Sequence, residues 1–173
     1  MSAIDDIIKF NSEFVAGEKY IPFAAEKFPR KKLAVVSCMD TRLTELLPAA
    51  LNLKNGDANI IKTAGAVVSH PRGGVMRSIL VAVYTLGVRE IMIVGHTGCG
   101  MRHLDPADMA LRMHERGVTA DAVELEWLRG FDDETESVRA SVNLVRNHPL
   151  MPRDITVRGF LMDIDTGKII KIP

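Results

Sequence analysis

The chain has 173 residues, of which 47% are hydrophobic and 25% charged, as in an ordinary globular protein. Its 22 basic and 22 acidic residues give a formal net charge of zero, so charge indicates neither nucleic acid nor an anionic membrane as a partner. The longest apolar stretch, around residues 78–85, is too short and too interrupted to span a bilayer. The opening segment MSAIDD lacks the basic and apolar regions of a secretory signal, so a cytoplasmic protein is expected.

The two cysteines exclude several kinds of thiol chemistry. A disulfide is not expected in a cytoplasmic chain of this size. Thiol redox motifs need Cys-x-x-Cys, which is absent. A phosphatase loop needs five residues between cysteine and arginine, whereas only three separate Cys38 from Arg42. The phosphate-binding pattern Gly-x₄-Gly-Lys-Ser/Thr is also absent.

The first part of the chain predicts a helical arm followed by a buried strand. Ser2 is the expected N-cap of a helix whose apolar residues repeat at helical spacing, namely Ile4, Ile7, Ile8 and Phe14. The mixed segment 17–31 predicts an irregular or short helical connector. Residues 33–38 form a nearly continuous apolar run, typical of a strand buried on both faces. By position alone Asp40 could cap the helix after it, although the motif around it weighs against that role.

The rest of the chain continues this alternation. Apolar runs predict further strands at residues 59–63, 90–95 and 155–161, and a turn at Asp165-Thr166-Gly167 leads into an antiparallel edge strand at 168–172. Helical spacing predicts helices at residues 73–86, 105–116, 120–129 and 133–147, the last beginning near Asp132 or Asp133.

Strands that alternate with helices indicate βαβ crossovers and a mostly parallel sheet. We therefore expect a three-layer α/β fold with strand order 2-1-3-4, the antiparallel edge strand beside strand 4, and helices flanking the sheet. One domain is expected over residues 1–173, consisting of an N-terminal helical arm (1–31) and an α/β core (32–173).

Polar clusters follow the ends of the first three predicted strands: Cys38-Met39-Asp40-Thr41-Arg42, Thr63-Ala64-Gly65-Ala66 and His96-Thr97-Gly98-Cys99-Gly100. Ligands of open parallel sheets bind beyond the carboxyl ends of the strands, where the strand order reverses. If strands 1 and 3 are neighbours, Cys38 and Cys99 face each other there. Two thiolates and an imidazole suit Zn²⁺, and three protein ligands leave a fourth position open. The sequence thus predicts a zinc site at Cys38, His96 and Cys99.

Two of these clusters carry a family resemblance. Cys38-Met39-Asp40-Thr41-Arg42 and His96-Thr97-Gly98-Cys99-Gly100-Met101 resemble the two signature motifs of β-class carbonic anhydrases. The similarity extends over nearly the whole chain and is greatest to the short bacterial and archaeal members. It implies reversible hydration of carbon dioxide to bicarbonate and a proton by a zinc-bound hydroxide, with one Zn²⁺ per chain. It also implies an obligate homodimer, often paired into tetramers.

The resemblance also implies roles for individual residues. Asp40 would orient the zinc-bound hydroxide in one state and ligate zinc as a fourth ligand in a closed state. Arg42 would pair with Asp40 and decide between these states, as suits a permanently charged bidentate donor. The backbone at Ala64 and Gly65 would bind a substrate oxygen. Many family members have Asn where this chain has Thr63, so the hydrogen bonding around Asp40 and Arg42 is expected to differ here, although Thr can also donate.

The charge of the predicted site bears on its pH dependence. Two thiolates and a neutral histidine leave the zinc site nearly uncharged, so the bound water should be less acidified than the pKa of about 7 found with three histidine ligands. We therefore expect activity to rise above neutral pH, with Asp40 competing for zinc at low pH. No proton-shuttle histidine stands out, because the remaining four are expected to be surface or structural residues: His70, His103, His114 and His148.

Three functions remain open at this point. The first is hydration of carbon dioxide. The second is hydrolysis of carbonyl sulfide or carbon disulfide, which some enzymes with this kind of zinc site perform. The third is a catalytically silent zinc-binding protein. The presence of Asp40 and Arg42 weighs against the third, since a purely structural zinc site needs neither residue.

Overall fold

The computed structural model describes residues 2–173. Its central sheet has five strands, which are β1 (Leu33–Cys38), β2 (Ala58–Thr63), β3 (Glu90–His96), β4 (Thr156–Met162) and β5 (Ile169–Ile172). The α-helices of this part of the chain are α1 (Ala3–Ala16), α2 (Leu43–Ala50), α3 (Gly74–Leu86), α4 (Pro106–His114), α5 (Ala122–Trp127) and α6 (Glu134–Arg146). Short 3₁₀ turns occupy Ile21–Phe23 and Ala64–Ala66.

The strand order is β2-β1-β3-β4-β5, with four parallel strands and β5 antiparallel to β4. The predicted α/β class, strand order and antiparallel edge are therefore confirmed. The register places Cys38 opposite Thr63 on β2 and Ser37 opposite Val94 on β3. Because β1 and β3 are parallel neighbours, their carboxyl ends lie together at one edge of the sheet.

The buried core is divided between the two faces of the sheet, since successive strand residues point to opposite faces. One face packs against α3 and α6 through a cluster that includes Val36, Ile79, Ile93 and Val142. The other face packs against α2 through Val35, Leu43, Leu47, Val94 and Met162. The second cluster also contains Cys38 and Cys99, so these two candidate metal ligands pack against apolar side chains.

Helix α6 lies very close to the sheet, and two glycines permit this approach. A Cβ atom at Gly95 would lie 2.7 Å from Val138 Cγ2, and a Cβ atom at Gly159 would lie 2.7 Å from Val138 Cγ1. The helix begins at Asp133, whose carboxylate accepts the backbone N–H of Glu136 at 2.9 Å, as an N-cap does. One of the two predicted starting points of α6 is thus confirmed.

Helix α1 begins at Ser2 with a capping box. The Ser2 hydroxyl accepts the backbone N–H of Asp5, and the Asp5 carboxylate accepts that of Ser2. No residue of α1 is buried, and its apolar side chains Ile4, Ile7 and Ile8 are exposed. Across residues 2–173, no helix combines the length and the apolar character that a membrane crossing requires.

Candidate metal centre and cleft

Cys38, His96 and Cys99 come together at the carboxyl edge of the sheet. Cys38 ends β1, His96 ends β3, and Cys99 lies on the loop that follows. All three are buried, and their candidate ligand atoms lie within 4.8 Å of one another. The two sulfurs are 3.9 Å apart. Tetrahedral zinc with Zn–S bonds of about 2.3 Å separates two sulfurs by about 3.8 Å, so the spacing fits this metal.

The orientation of His96 leaves one nitrogen free for a metal. Its Nδ1 lies 2.9 Å from the carbonyl oxygen of Thr97, so the neutral ring carries its proton on Nδ1 and donates it to that oxygen. The Nε2 atom is then a lone-pair acceptor, and it is buried with no hydrogen-bond partner in the structure. A buried acceptor without a partner is unfavourable, and a metal ion at this position would satisfy it.

The protonation of the cysteines also suits a cation. The hydrogen bond from the Cys99 thiol lowers the pKa of Cys38, and the backbone N–H groups of Asp40 and Gly65 lower it further against the effect of burial. The same shared hydrogen raises the pKa of Cys99. The pair therefore favours one thiolate without any metal, and thiolates are the sulfur ligands that zinc binds.

The loop between His96 and Cys99 is fixed by backbone contacts. Gly98 has a φ of 63°, a left-handed conformation that favours glycine. The Thr97 hydroxyl accepts the backbone N–H of Ile164 at 3.1 Å, which ties the loop to the β4–β5 turn. The carbonyl of Cys99 accepts the N–H of Arg102 at 3.0 Å. These contacts hold His96 and Cys99 in place before any metal binds.

Asp40 and Arg42 form a two-point ion pair beside the cysteines. Arg42 Nε donates to Asp40 Oδ1 at 3.0 Å, and Nη2 donates to Oδ2 at 2.8 Å and to the carbonyl of Gly98 at 3.2 Å. The Arg42 guanidinium holds the pKa of the Asp40 carboxyl well below its usual range. Asp40 Oδ2 lies 3.9 Å from His96 Nε2. An ionised carboxylate thus stands next to the candidate metal position.

Asp40 does not cap helix α2, an alternative that its position leaves open and its motif weighs against. Helix α2 has no side-chain hydrogen bond at its N-cap, which is Arg42. Asp40 Oδ1 instead accepts the backbone N–H of Arg42 at 2.9 Å, one residue before the helix begins. Because both carboxylate oxygens also accept from the guanidinium, the side chain turns toward the cleft rather than toward the helix amides.

An open cleft of about 560 Å³ adjoins these groups. Besides Cys38, Cys99 and the ion pair, its lining includes Met39, Ala64, Gly65 and Met101. Gly65 has a φ of 69°, and a Cβ atom there would lie 2.7 Å from Phe131 Cε1. Both the conformation and the close approach therefore require glycine at this position.

Two features of the cleft differ from what the sequence alone indicates. The Thr63 hydroxyl lies 3.5 Å and 3.4 Å from the carbonyls of Ala64 and Val67, so it faces the loop backbone and not the Asp40–Arg42 pair. Phe131, which backs the cleft at Gly65, was not among the predicted site residues. It comes from the segment just before α6, and no motif marks it.

The fold and the site together define an α/β protein with a candidate metal centre at the sheet edge, open to a cleft that carries an aspartate–arginine pair. Residues 33–169 match the carbonic anhydrase family model. The chain resembles the crystal structure of β-carbonic anhydrase isoform I from Trichomonas vaginalis with a TM-score of 0.88 and 32% identity, covering 99% of this chain and 98% of that one. The chain belongs to the β class of carbonic anhydrases, a family of lyases.

Two further relatives differ in how similar they are to this chain and in the reaction for which they are named. The Bacillus subtilis protein YvdA is 49% identical over an alignment that covers 98% of this chain and 90% of that protein. A carbon disulfide hydrolase from Acidithiobacillus thiooxidans is 29% identical over 80% of this chain and 71% of its own length. Proteins named as carbonic anhydrase and as carbon disulfide hydrolase are therefore both similar to this chain.

Proposed function

We propose that the protein catalyses the reversible hydration of carbon dioxide to bicarbonate and a proton, with one Zn²⁺ per chain held by Cys38, His96 and Cys99. The observation that carries this proposal is His96 Nε2, a buried lone pair without a partner that lies among two cysteine sulfurs. Sulfur and imidazole donors in this number suit zinc, and three of them leave a position for a reactant. Membership of the carbonic anhydrase family supports the reaction.

Asp40 and Arg42 supply the groups that a structural metal site does not need. When bound, zinc would supply Lewis-acid activation of water. Asp40, which Arg42 keeps ionised, would accept a hydrogen bond beside the metal position and so orient the attacking water. A carboxylate that ligates zinc must give up contacts to Arg42, so the paired geometry supports the orienting role over the closed state in which Asp40 is a fourth ligand.

We propose the cleft beside Ala64 and Gly65 as the substrate position. The two residues line the same cleft as Asp40 and the cysteines. The neighbouring side chains Met39 and Met101 give this cleft apolar surface, which suits an uncharged substrate such as carbon dioxide. The N–H of Gly65 already faces the Cys38 sulfur, so Gly65 shapes this position while the N–H of Ala64 is the donor proposed for a substrate oxygen.

A matched pair of histidine variants tests the zinc site. We expect the purified wild type to hold about one zinc per chain and to accelerate carbon dioxide hydration in stopped-flow assays. His96→Asn and Cys99→Ser should lose both zinc and activity, whereas His114→Asn on α4 should keep both. Zinc-free wild type, or full zinc in His96→Asn, would contradict the site. The expected rise of activity above neutral pH stays a prediction, to be checked in the same assay.

Hydrolysis of carbon disulfide or carbonyl sulfide is the second candidate function. The similarity to the Acidithiobacillus thiooxidans enzyme favours it, because that protein is named for carbon disulfide. Sulfide release from either compound by zinc-loaded protein, together with no acceleration of carbon dioxide hydration, would select this function. Zinc-loaded protein inactive on all three compounds would select the silent zinc-binding protein instead.

We further propose that the protein is a homodimer in which α1 packs on a second copy. The support is the exposed apolar surface of Ile4, Ile7 and Ile8 on a helix with no buried residue. Light scattering after size-exclusion chromatography should give the dimer mass, or the tetramer mass if dimers pair. Ile7→Glu should shift the mass toward the monomer. The cytoplasmic location, the absence of nucleic-acid and membrane partners and the single-domain boundaries stay predictions.

A further inference from the structure

Hydration of carbon dioxide releases one proton for each bicarbonate formed, and that proton must reach the solvent. Histidine is the side chain that most readily exchanges protons near neutral pH. The chain has five histidines, and His96 belongs to the metal-ligand cluster. The remaining four differ in what their ring nitrogens contact, and these contacts indicate which of them is suited to carry the proton.

Three of the four histidines are engaged elsewhere or lie apart from the cleft. The two ring nitrogens of His148 lie 3.0 Å from the carbonyl of Pro71 and 3.2 Å from the N–H of Leu150. His70 accepts the backbone N–H of Arg72 at 3.0 Å. His114 lies at the end of α4, in a separate apolar groove. None of these three pairs with a carboxylate in the described residues.

His103 differs because it pairs with a carboxylate and lies two residues after Met101, which lines the cleft. Its Nδ1 lies 3.4 Å from Asp132 Oδ1, and both side chains are exposed. A carboxylate at Nδ1 favours the tautomer with a proton on that nitrogen, which leaves Nε2 free to accept another. His103 also has a φ of 56°, a left-handed conformation that is uncommon outside glycine.

Backbone hydrogen bonds join the two segments that carry this pair to Met101, which lines the cleft. His103 follows the cleft-lining residue Met101 by two positions, so their Cα atoms are at most about 7 Å apart. Asp132 directly follows Phe131, whose ring backs the cleft at Gly65. The two segments are joined by hydrogen bonds from His103 N to Phe131 O at 2.8 Å and from Phe131 N to Met101 O at 3.1 Å.

A glycine allows these two segments to meet. A Cβ atom at Gly130 would lie 2.0 Å from the carbonyl oxygen of Met101, a distance at which no side chain fits. The N–H of Gly130 donates to Leu104 O at 3.0 Å. The close approach therefore fixes the relative position of the loop that carries His103 and the segment that carries Asp132.

We propose that His103, held by Asp132, is the proton-transfer residue of this enzyme. This inference rests on the proposed carbon dioxide hydration. His103 Nε2 takes the released proton through water in the cleft and becomes an imidazolium, while Asp132 holds the ring in place through Nδ1. It then gives the same proton to a buffer base and returns to the neutral ring. Only N–H bonds form and break on the protein, so the proton is conserved and no oxidant or reductant is needed.

His103→Asn tests this role with little risk to the fold, because asparagine tolerates the left-handed conformation. Zinc-loaded wild type, His103→Asn, Asp132→Asn and the control His114→Asn are compared by stopped flow in a few millimolar of a bulky buffer. We expect kcat of His103→Asn to fall about tenfold, less than the roughly 10²- to 10⁴-fold effect of a direct general base because buffer competes. Zinc content and kcat/KM should stay at wild-type values, since proton release follows hydration.

Added imidazole should restore kcat of His103→Asn and should change the wild type and His114→Asn little. Asp132→Asn should reduce kcat to a smaller extent. An unchanged kcat in His103→Asn, an equal fall in His114→Asn, or a loss that imidazole does not restore would overturn the proposal. A fall in kcat/KM or in zinc content would also overturn it, because it would indicate a structural role. A wild type inactive in every buffer would instead overturn the proposed function itself.

Discussion

Because α6 lies so close to the sheet at Gly95, a larger side chain there should destabilise the fold. In Gly95→Ala, the new methyl group would lie 2.7 Å from Val138 Cγ2, 3.7 Å from Leu161 Cδ1 and 3.9 Å from Glu134 O. Carbon atoms at optimal contact are about 3.5–4.0 Å apart, so the first contact is too short by about 1 Å. Val138 is buried and β-branched, so its side chain has few other conformations and α6 or β3 must move.

Overpacking of this kind costs about 1–3 kcal/mol. For a chain of this size, a loss of 1 kcal/mol lowers Tm by roughly 2–4 °C, so Gly95→Ala should lower Tm by about 2–12 °C. Urea unfolding followed by circular dichroism measures the loss of free energy. The matched control is Gly74→Ala, because no atom lies within 4 Å of a Cβ there. That variant should be neutral or more stable by about 0.4–1 kcal/mol.

A double variant separates the clash from the other effects of the substitution. Val138→Ala removes the atoms that the new methyl group meets, at a cost of its own of about 1–3 kcal/mol. The double variant Gly95→Ala with Val138→Ala should lose less unfolding free energy than the two single variants lose together, by at least about 0.5 kcal/mol. Additive losses, or a Gly95→Ala variant as stable as Gly74→Ala, would refute the reasoning.

Three shorter predictions follow. Arg42→Gln should keep zinc but lower kcat/KM for carbon dioxide hydration about tenfold or more, because Asp40 loses the donors that hold it; an unchanged rate would exclude that role. The pKa of Asp57 is lowered by the backbone N–H of Lys54 and then by Arg30, so its stabilising effect is present above about pH 4 and is lost below it. Asp57→Asn should therefore flatten the acid end of a plot of Tm against pH, and an unchanged slope would refute this. Zinc removal by a chelator should lower Tm, and added zinc should restore it.

The strands and the metal-ligand cluster could be predicted because their signals are local. Long apolar runs mark β1 and β3, and the observed strand ends agree with the predicted ones to within one residue. Cys38, His96 and Cys99 each stand at or just after such a run, and the topological rule for parallel sheets brings those ends together. The pairing of β1 with β3 then confirms the predicted juxtaposition.

Features that depend on distant segments could not be predicted in the same way. Asp40 has the sequence position of a helix cap, but the Arg42 side chain competes for its carboxylate. The close approach of Gly130 to Met101 joins two loops that no periodicity relates. The His103–Asp132 pair depends on that approach. Sequence spacing therefore located the metal-ligand candidates, whereas packing decides what surrounds them.

The central claim is tested most directly by one measurement, the rate of carbon dioxide hydration by wild-type protein of known zinc content at about pH 8.5. The account predicts about one zinc per chain and a kcat/KM of at least about 10⁴ M⁻¹s⁻¹, within the range of ordinary enzymes. Full zinc occupancy with a rate no faster than that of buffer alone would contradict it.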